Sequence, residues 1–115
     1  MKYICPVCGH KGLDEPAYYN SKQLEVGSYE ICSCCRFEYG VDDDVEMESG
    51  EFLPVRDVHN IYRSVWLNLD APVASPDYYP SYCQENGKVK PEHLEKQLKN
   101  IGINTLGRPI HEGKS

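Results

Sequence analysis

The clearest hydrophobic pattern of the chain lies between residues 54 and 70. Apolar side chains recur there at intervals of three and four residues and fall within an arc of about 140° on a helical wheel, the width of a core-facing stripe. Pro54 suits the first turn of a helix, and the Asp-Ala-Pro sequence at 70–72 ends it. We therefore predict an amphipathic helix over 54–70. Its core-facing stripe comprises Val55, Val58, Ile61, Tyr62, Val65, Trp66 and Leu69.

A second, shorter helix is predicted over 91–102. Pro91 stands where the first turn of a helix tolerates a missing N–H. Gly102 followed by Ile103 fits a Schellman motif, in which a left-handed glycine ends the helix and the next apolar residue packs back onto it. The apolar stripe of this helix is narrow and comprises Leu94, Leu98 and Ile101.

The segment between these helices, residues 71–90, has no apolar period and is rich in proline, serine and tyrosine. Disordered segments usually lack aromatic residues. We therefore expect an ordered loop whose tyrosines pack over the core. The tail after Leu106 has no comparable pattern, and we expect it to fray.

Short strand-like segments surround two C-x-x-C turns in the first 41 residues. Residues 2–4 and 10–13 flank the first turn, and residues 28–31 and 37–39 flank the second. This pattern predicts two β-hairpins, each with a cysteine pair at its tip. The intervening residues 14–22 are expected to form an irregular loop.

The two turns together supply four thiols, the number that a tetrahedral Zn²⁺ site needs. Each turn brings two sulfurs to one side of a bend, so two facing turns can surround one ion. Cys34 is an alternative to Cys35 in the second turn, but Cys35 keeps the two-residue spacing of the first. Iron is the alternative metal, because facing C-x-x-C turns also form rubredoxin-type centres. The predicted zinc ligands are Cys5, Cys8, Cys32 and Cys35.

The residue after the second cysteine of such a turn often needs a positive φ, which glycine adopts without strain. Gly9 meets this requirement in the first turn. Arg36 holds the equivalent position in the second turn, where a left-handed conformation costs about 1 kcal/mol. We therefore expect the second turn to be the less regular one.

These elements predict a single domain over residues 1–115 of the α+β class. An N-terminal zinc-ribbon-like or rubredoxin-like unit of β-hairpins occupies residues 1–41, and two C-terminal helices pack on it. A chain of this length builds only a modest core, so a metal cross-link matters to its stability. Four thiolates leave the metal no open position for water, which favours a structural site over a hydrolytic one.

The formal net charge of the chain is −6. A divalent cation with four thiolates adds −2, for a total of about −8. Phosphate backbones are bound by Lys and Arg, so a nucleic acid is an unfavourable partner and a protein, in particular a basic one, is favoured.

The chain begins without the apolar core of a signal peptide, and it contains no apolar run of about 18 residues. We therefore expect a cytoplasmic protein with no membrane segment. The reducing cytosol disfavours disulfides among its cysteines and favours bound or free thiols.

Residues 42–48 form an acidic run, which we interpret as a solvated loop. Arg56, His59 and Arg63 form a basic row along one edge of the first predicted helix. Because this row is close in sequence to the acidic run, we expect the two to pair within the molecule. Trp66 is expected in the core rather than on a contact surface.

The chain has no nucleophile elbow, P-loop, dinucleotide-binding glycine motif or zinc-protease motif, so we do not predict an enzyme. Cys83 lies apart from the other cysteines, with no local sign of an activated thiol. The favoured function is a protein–protein interaction module, such as an adaptor or an inhibitor of the immunity type. Two alternatives stay open: a nucleic-acid-binding ribbon that uses Lys2, Lys11, Lys22 and Arg36, and redox chemistry at iron or at Cys34 or Cys83.

The flanks of the two cysteine turns carry a family resemblance. The sequence C-P-x-C-G at 5–9, the sequence Y-E-I-C-x-x-C-x-F-E at 29–38, and the Tyr62 and Trp66 pair of the first helix resemble the small bacterial cysteine-rich family named for its CPCC motif. Val7 stands where that family has a further cysteine. The resemblance covers roughly the first 70 residues. It implies a bacterial, cytoplasmic, zinc-ribbon-like protein and no particular activity.

Overall fold

The computed structural model describes residues 2–20 and 22–110, and within them the chain forms small antiparallel hairpins and two helices. The strands pair as β1 with β2, β3 with β4, and β5 with β6. This arrangement confirms the predicted α+β class. The elements are β1 (Tyr3–Ile4), β2 (Lys11–Leu13), β3 (Tyr18–Asn20), β4 (Glu25–Gly27), α1 (Val55–Asn68), β5 (Gln84–Glu85), β6 (Lys88–Val89) and α2 (Pro91–Lys99).

The two cysteine turns differ in the strands that support them. β1 and β2 form the hairpin predicted around the first turn, with Tyr3 opposite Leu13. Around the second turn the predicted strands are reduced to a single bridge between Ile31 and Glu38. Backbone hydrogen bonds still join its two flanks, from the N–H of Cys32 to the carbonyl of Phe37 at 3.0 Å and from the N–H of Tyr29 to the carbonyl of Tyr39 at 2.9 Å.

The irregular loop predicted for residues 14–22 is wrong, because β3 begins within it. Tyr18 of β3 pairs with Gly27 of β4, and the Tyr18 side chain is buried against Tyr39, with 5.7 Å between the ring centroids. A strand of three residues is too short to show a period in the sequence, so its position depends on the packing of Tyr18.

α1 lies within the predicted range 54–70, and its end agrees with the Asp-Ala-Pro signal. Asp70 and Ala71 adopt left-handed backbone conformations with φ of 67° and 53°, and the N–H of Ala71 donates to the carbonyl of Trp66 at 3.0 Å. The Trp66 side chain is buried in the core, as expected.

α2 ends in the predicted Schellman motif. Gly102 has a φ of 71°, and the N–H of Ile103 donates to the carbonyl of Leu98 at 3.1 Å. The chain then turns back, and Ile103 bridges to Pro109. The fraying predicted after Leu106 is therefore wrong up to residue 110, while residues 111–115 lie outside the described part of the chain.

The tyrosine-rich segment 71–90 is ordered, but only part of it covers the core. Tyr79 is buried, whereas Tyr78 and Tyr82 are exposed. The segment also contains strands β5 and β6 and a short 3₁₀ helix at Ser81–Cys83, none of which was predicted. These elements are too short to give a periodic signal in the sequence.

The core surrounds the cysteines, and its largest fully buried side chains come from the flanks of the turns and from α2. The five largest fully buried side chains are those of Tyr39, Phe37, Leu13, Leu98 and Val7.

No helix in the described ranges combines the length and the apolar character that crossing a membrane requires.

The buried face of α1 coincides only in part with the predicted stripe. Val58 and Trp66 of the predicted stripe are buried, but the buried face continues through His59 and Arg63, which belong to the polar edge. Val55 and Tyr62 of the stripe are half-buried against the core. The side chains of the predicted stripe that are more than half exposed are those of Ile61, Val65 and Leu69.

His59 belongs to a buried hydrogen-bonded group that joins α1 to β3 and the acidic run. The Tyr18 hydroxyl donates to the Asp43 carboxylate and lies 2.9 Å from Nε2 of His59. Because its own proton goes to Asp43, Tyr18 accepts from His59, which is then the neutral Nε2–H tautomer. The N–H of Gly40 also donates to Asp43, at 2.9 Å.

The predicted pairing between the basic row and the acidic run is thus limited to one indirect contact. His59 reaches Asp43 only through the Tyr18 hydroxyl. Within the described residues, the only salt bridges join Lys2 to Asp14 and Lys88 to Asp70. The prediction is wrong for Arg56 and Arg63, which form no salt bridge with the run.

The buried His59 side chain should make the stability of the protein depend on pH. Burial lowers the pKa of His59 to about 4, the charge of Asp43 opposes this shift, and Arg63 and Arg56 add to it. In the unfolded chain His59 therefore binds a proton below its ordinary pKa of 6.5, while in the folded protein His59 stays neutral until the pH approaches 4. Stability from this group is complete above pH 6.5 and is lost as the pH falls towards 4.

We expect His59→Gln to remove about 2 kcal/mol of the stability difference between about pH 7.5 and about pH 5. The measurement is urea unfolding of both proteins at the two pH values, with the variant compared to the wild type so that acid effects on the cysteines cancel. His93→Gln, at a half-buried position, is the control and should keep most of the pH dependence. An equal pH dependence in His59→Gln and wild type would contradict the assignment.

Candidate metal centre

The structure brings four of the six cysteines into one buried cluster. The sulfurs of Cys5, Cys8, Cys32 and Cys35 all lie within 4.8 Å of one another. Three of these residues are fully buried and Cys35 is 4% exposed. The six cysteines all fall in the described ranges, and none of them forms a disulfide. The cluster is therefore positioned to hold a metal ion, and it contains Cys35 rather than Cys34.

The spacing of the sulfurs fits a tetrahedral metal–thiolate site. The distance between the sulfurs is 3.8 Å for Cys5 and Cys35, and 3.7 Å for Cys8 and Cys32. A metal–sulfur bond of about 2.3 Å corresponds to a sulfur–sulfur edge of about 3.8 Å in a tetrahedron. These two edges match a four-thiolate site, and the other sulfur–sulfur distances do not exceed 4.8 Å.

The two turns have matching backbone hydrogen bonds. The N–H of Val7 donates to the sulfur of Cys5, and the N–H of Cys34 donates to the sulfur of Cys32, both at 3.4 Å. Gly9 has a φ of 86° and the equivalent Arg36 has a φ of 75°. Arg36 thus adopts the left-handed conformation anticipated at its position. Amide donors at the sulfurs offset thiolate charge in both turns.

Without a cation the cluster does not favour four thiolates. Burial is the main cause that raises the pKa of Cys8 and of Cys35 well above its usual range. The pKa of Cys32 is lowered by hydrogen bonds from other thiols, first that of Cys35. A divalent cation would allow all four cysteines to ionise, because its charge offsets theirs.

α1 supplies the donors for one side of the first turn. Nε of Arg63 donates to the carbonyl of Val7 at 2.5 Å, and Nη2 donates to the carbonyl of Pro6 at 3.0 Å. Nη1 of Arg63 donates to the side chain of Asn60 at 2.8 Å, so each of its nitrogens has a partner. Burial lowers the pKa of Arg63, and the nearby cysteines Cys5, Cys8 and Cys35 raise it. Arg63 thus both satisfies the turn and places a positive charge beside the sulfurs.

α2 supplies the donors for the other side of the first turn. Nε2 of Gln97 donates to the carbonyl of Cys8 at 3.1 Å, and the side chain of Asn100 donates to the carbonyl of Gly9 at 3.0 Å. The Tyr79 hydroxyl donates to Oε1 of Gln97 at 2.6 Å and fixes its orientation. The two helices thus bind the carbonyls of residues 6–9.

The second turn is held by Tyr62, whose hydroxyl donates to the carbonyl of Cys35 at 2.9 Å. Tyr39 is fully buried in the same region, and within the described residues its hydroxyl has no hydrogen-bond partner. Burial chiefly raises the pKa of Tyr39, and the charges of Cys5 and Cys32 raise it further. The Tyr39 hydroxyl therefore stays neutral and adds no negative charge beside the cysteine sulfurs.

The remaining two cysteines lie outside the cluster. Cys34 is fully buried, and its sulfur accepts a hydrogen bond from Gln97 at 3.3 Å. Cys83 is also buried, and burial raises the pKa of its thiol. The raised pKa of Cys83 does not favour the thiolate that a reactive cysteine requires.

Sequence reasoning identified the sulfurs but not the side chains that hold the turns. Arg63 belongs to the basic row of the sequence. Its contact with Pro6 and Val7 gives no signal in the neighbouring sequence, because Val7 is 56 positions away along the chain. Gln97 and Asn100 stand on the polar side of a short helix, where most such residues are solvated. What distinguishes them from solvated residues is that their side chains donate to backbone carbonyls distant in sequence.

Substitution of Gly9 by alanine should destabilise the protein through a clash as well as through backbone strain. A Cβ at Gly9 would lie 2.0 Å from the carbonyl oxygen of Gln97, whereas a Cβ at Gly87, with a φ of 76°, would have no atom within 4 Å. We expect Gly87→Ala to cost about 1–2 kcal/mol for its conformation alone. Gly9→Ala should cost about 1–3 kcal/mol more, as overpacking does. Urea unfolding of the metal-loaded proteins measures both; equal losses would refute the close contact.

Alanine substitutions in the second turn test which cysteine binds the metal. We expect Cys35→Ala to lose metal, because it removes one corner of the tetrahedron, and Cys34→Ala to retain one metal per chain. Each protein is loaded with Zn²⁺ or Fe²⁺, desalted, and measured by elemental analysis. Retention in Cys35→Ala together with loss in Cys34→Ala would reverse the assignment.

Two proteins of Bacillus subtilis (strain 168) align with most of this chain. The uncharacterized protein YoaQ is 30% identical over 105 residues, which cover 88% of this chain and 87% of YoaQ. The uncharacterized protein YozI is 31% identical over 108 residues, which cover 90% of this chain and 88% of YozI. No protein-family model matches the chain, and no solved structure matches it. The extent of both alignments shows that this chain belongs to the protein family that includes YoaQ and YozI.

Proposed function

We propose that this chain is a protein–protein interaction module whose fold is held by a structural Zn²⁺ on Cys5, Cys8, Cys32 and Cys35. The observation that carries the proposal is the closure of the cluster. Four buried sulfurs at tetrahedral spacing fill the coordination sphere, so a bound metal has no position for water or substrate. The metal then stabilises the fold, and the surface carries the function.

A zinc-ribbon-like unit is the form that we propose for residues 2–41. Its support is the pair of facing turns with matching amide-to-sulfur bonds. Four thiolates suit Zn²⁺ and also bind iron, which would colour the protein red. The sequences that flank the turns further support membership of the CPCC family and, with it, a bacterial cytoplasmic protein.

The charge of the surface supports a protein partner with basic character. The net charge is −6, and the acidic run at 42–48 has no salt bridge with any described residue. Among the cations that a nucleic-acid-binding ribbon would use, Lys2 is already paired with Asp14 at 2.6 Å. An uncompensated acidic surface attracts a basic protein and repels phosphates. An adaptor or an inhibitor of a basic target is the role that follows.

Affinity capture with the intact metal-loaded chain tests this function. We expect a protein to be recovered at near-stoichiometric yield from a lysate of the source organism, to resist nuclease treatment, and to be released by high salt. The Cys8→Ala/Cys32→Ala variant, which lacks two ligands, is the control and should recover less than a tenth as much. Recovery of nucleic acid alone, or of no partner while the metal is retained, would overturn the proposal.

A further inference from the structure

An apolar groove runs along the solvent-facing side of α1. It has a volume of about 530 Å³ and lies between α1, the second cysteine turn, residues 42 and 45 of the acidic run, and Pro72 with Ala74. We refer to it as the α1 groove. Its floor is formed in part by Trp66, which is itself buried.

The α1 side of the groove presents three large apolar side chains without a covering element. Ile61 is 56% exposed, Val65 is 54% exposed and Leu69 is 59% exposed. Their spacing of four residues places them in a row of about 12 Å along the helix. Such a row would normally be covered by another part of the protein, since its burial contributes favourably to folding. A partner that buries it gains the same contribution on binding.

The row is long enough for a short helix of a partner to lie along it. A short amphipathic helix that lies in an apolar groove presents its own apolar residues at intervals of three, four and seven. The walls supplied by Val45 and Pro72 make a groove rather than a flat patch. Two to three turns of a partner helix would span the row.

The charge next to the groove determines which kind of helix fits. Asp42 and Val45 of the acidic run line the groove, and the exposed carboxylates of Asp44, Glu46 and Glu48 follow directly. None of them has a salt-bridge partner among the described residues. Among residues 2–20 and 22–110, Arg36 is the one cation that lines the groove. A second copy of this chain would bring its own acidic run and a net charge of −6, so a basic partner is favoured over self-association.

We propose that the α1 groove binds an amphipathic helical segment of a protein partner. The apolar residues of this segment contact Ile61, Val65 and Leu69, and its Lys or Arg side chains pair with the acidic run. This inference rests on the proposed interaction function and specifies its surface. The row of exposed apolar residues supplies the contact area, and the acidic run sets the charge of the partner.

A synthetic peptide helix tests the groove independently of the natural partner. The probe is an 18-residue helix of leucine and lysine with leucines on one face; its controls are a scrambled peptide and a leucine–glutamate peptide with the same apolar face. Trp66 is the only tryptophan of the chain, so its fluorescence reports occupancy of the groove. We expect saturable binding of the leucine–lysine helix by the metal-loaded chain, at least tenfold tighter than that of either control. Equal binding of the leucine–glutamate helix would overturn the charge assignment.

Substitutions on the exposed row locate the binding. Val65→Asp and Leu69→Asp should each weaken binding of the leucine–lysine helix at least tenfold. Val26→Asp, at a residue of β4 that is 65% exposed, should change it less than twofold. Circular dichroism and metal content verify that each variant is folded. Unchanged binding in both α1 variants, or a wild-type dimer that Val65→Asp converts to a monomer, would overturn the proposal.

Amide substitutions separate the local charge from the net charge. Two triple variants undergo the same change in net charge, one in the acidic run and one at distant exposed positions. The first should weaken binding at least fivefold and reduce its salt dependence, and the second should change it less than twofold; equal effects would refute pairing with the run. The variants are Asp44→Gln with Glu46→Gln and Glu48→Gln, and Glu85→Gln with Glu92→Gln and Glu95→Gln.

Failure of the groove is distinguishable from failure of the interaction function. If Val65→Asp still captures the natural protein partner as wild type does, the groove proposal is overturned and the interaction function stands. If wild type captures no protein, the interaction function fails, and binding of the leucine–lysine helix still supports or refutes the groove as a surface for basic helices.

Discussion

Four cysteines enclosed in a protein interior can all ionise only if a cation balances their negative charge, and the core of this structure is built around such a group. The sulfurs are buried at the spacing of a tetrahedron, with edges of 3.7 and 3.8 Å. Burial raises the pKa of Cys8 and of Cys35 and so opposes the ionisation of their thiols. A divalent cation would offset the charge of four thiolates and would join two turns that are distant in sequence.

The same turns create a second requirement, which the helices meet. A tight cysteine turn points its N–H groups at the sulfurs and leaves its carbonyls without partners in a region from which water is excluded. Arg63 of α1 and Gln97 and Asn100 near α2 donate to these carbonyls. The helices therefore dock on the first turn through specific polar contacts. A buried carbonyl without a partner costs about 1–3 kcal/mol, so these contacts favour the orientation in which Arg63 of α1 faces the first turn.

This choice of face has a direct consequence for function. When Arg63 and His59 face the core, the apolar row of α1 is left on the surface beside the acidic run. The buried Asp43 holds the start of that run against α1 through Tyr18, while its other carboxylates remain exposed and without cations from the described chain. The four clustered cysteines are buried and are not part of this surface. The features with unused binding capacity are therefore the apolar row and the acidic run, which lie side by side.

The sequence by itself determined what depends on local spacing. Two C-x-x-C turns place their sulfurs through backbone geometry that extends over five residues, so the choice of Cys35 over Cys34 and the left-handed Arg36 could be predicted without knowledge of the fold. Both helices could likewise be placed by their period and end signals. The tertiary structure alone decided the orientation of α1. The apolar period indicates a stripe but not its partner, and no local pattern indicates that Arg63 donates to the carbonyl of Val7, 56 positions away along the chain.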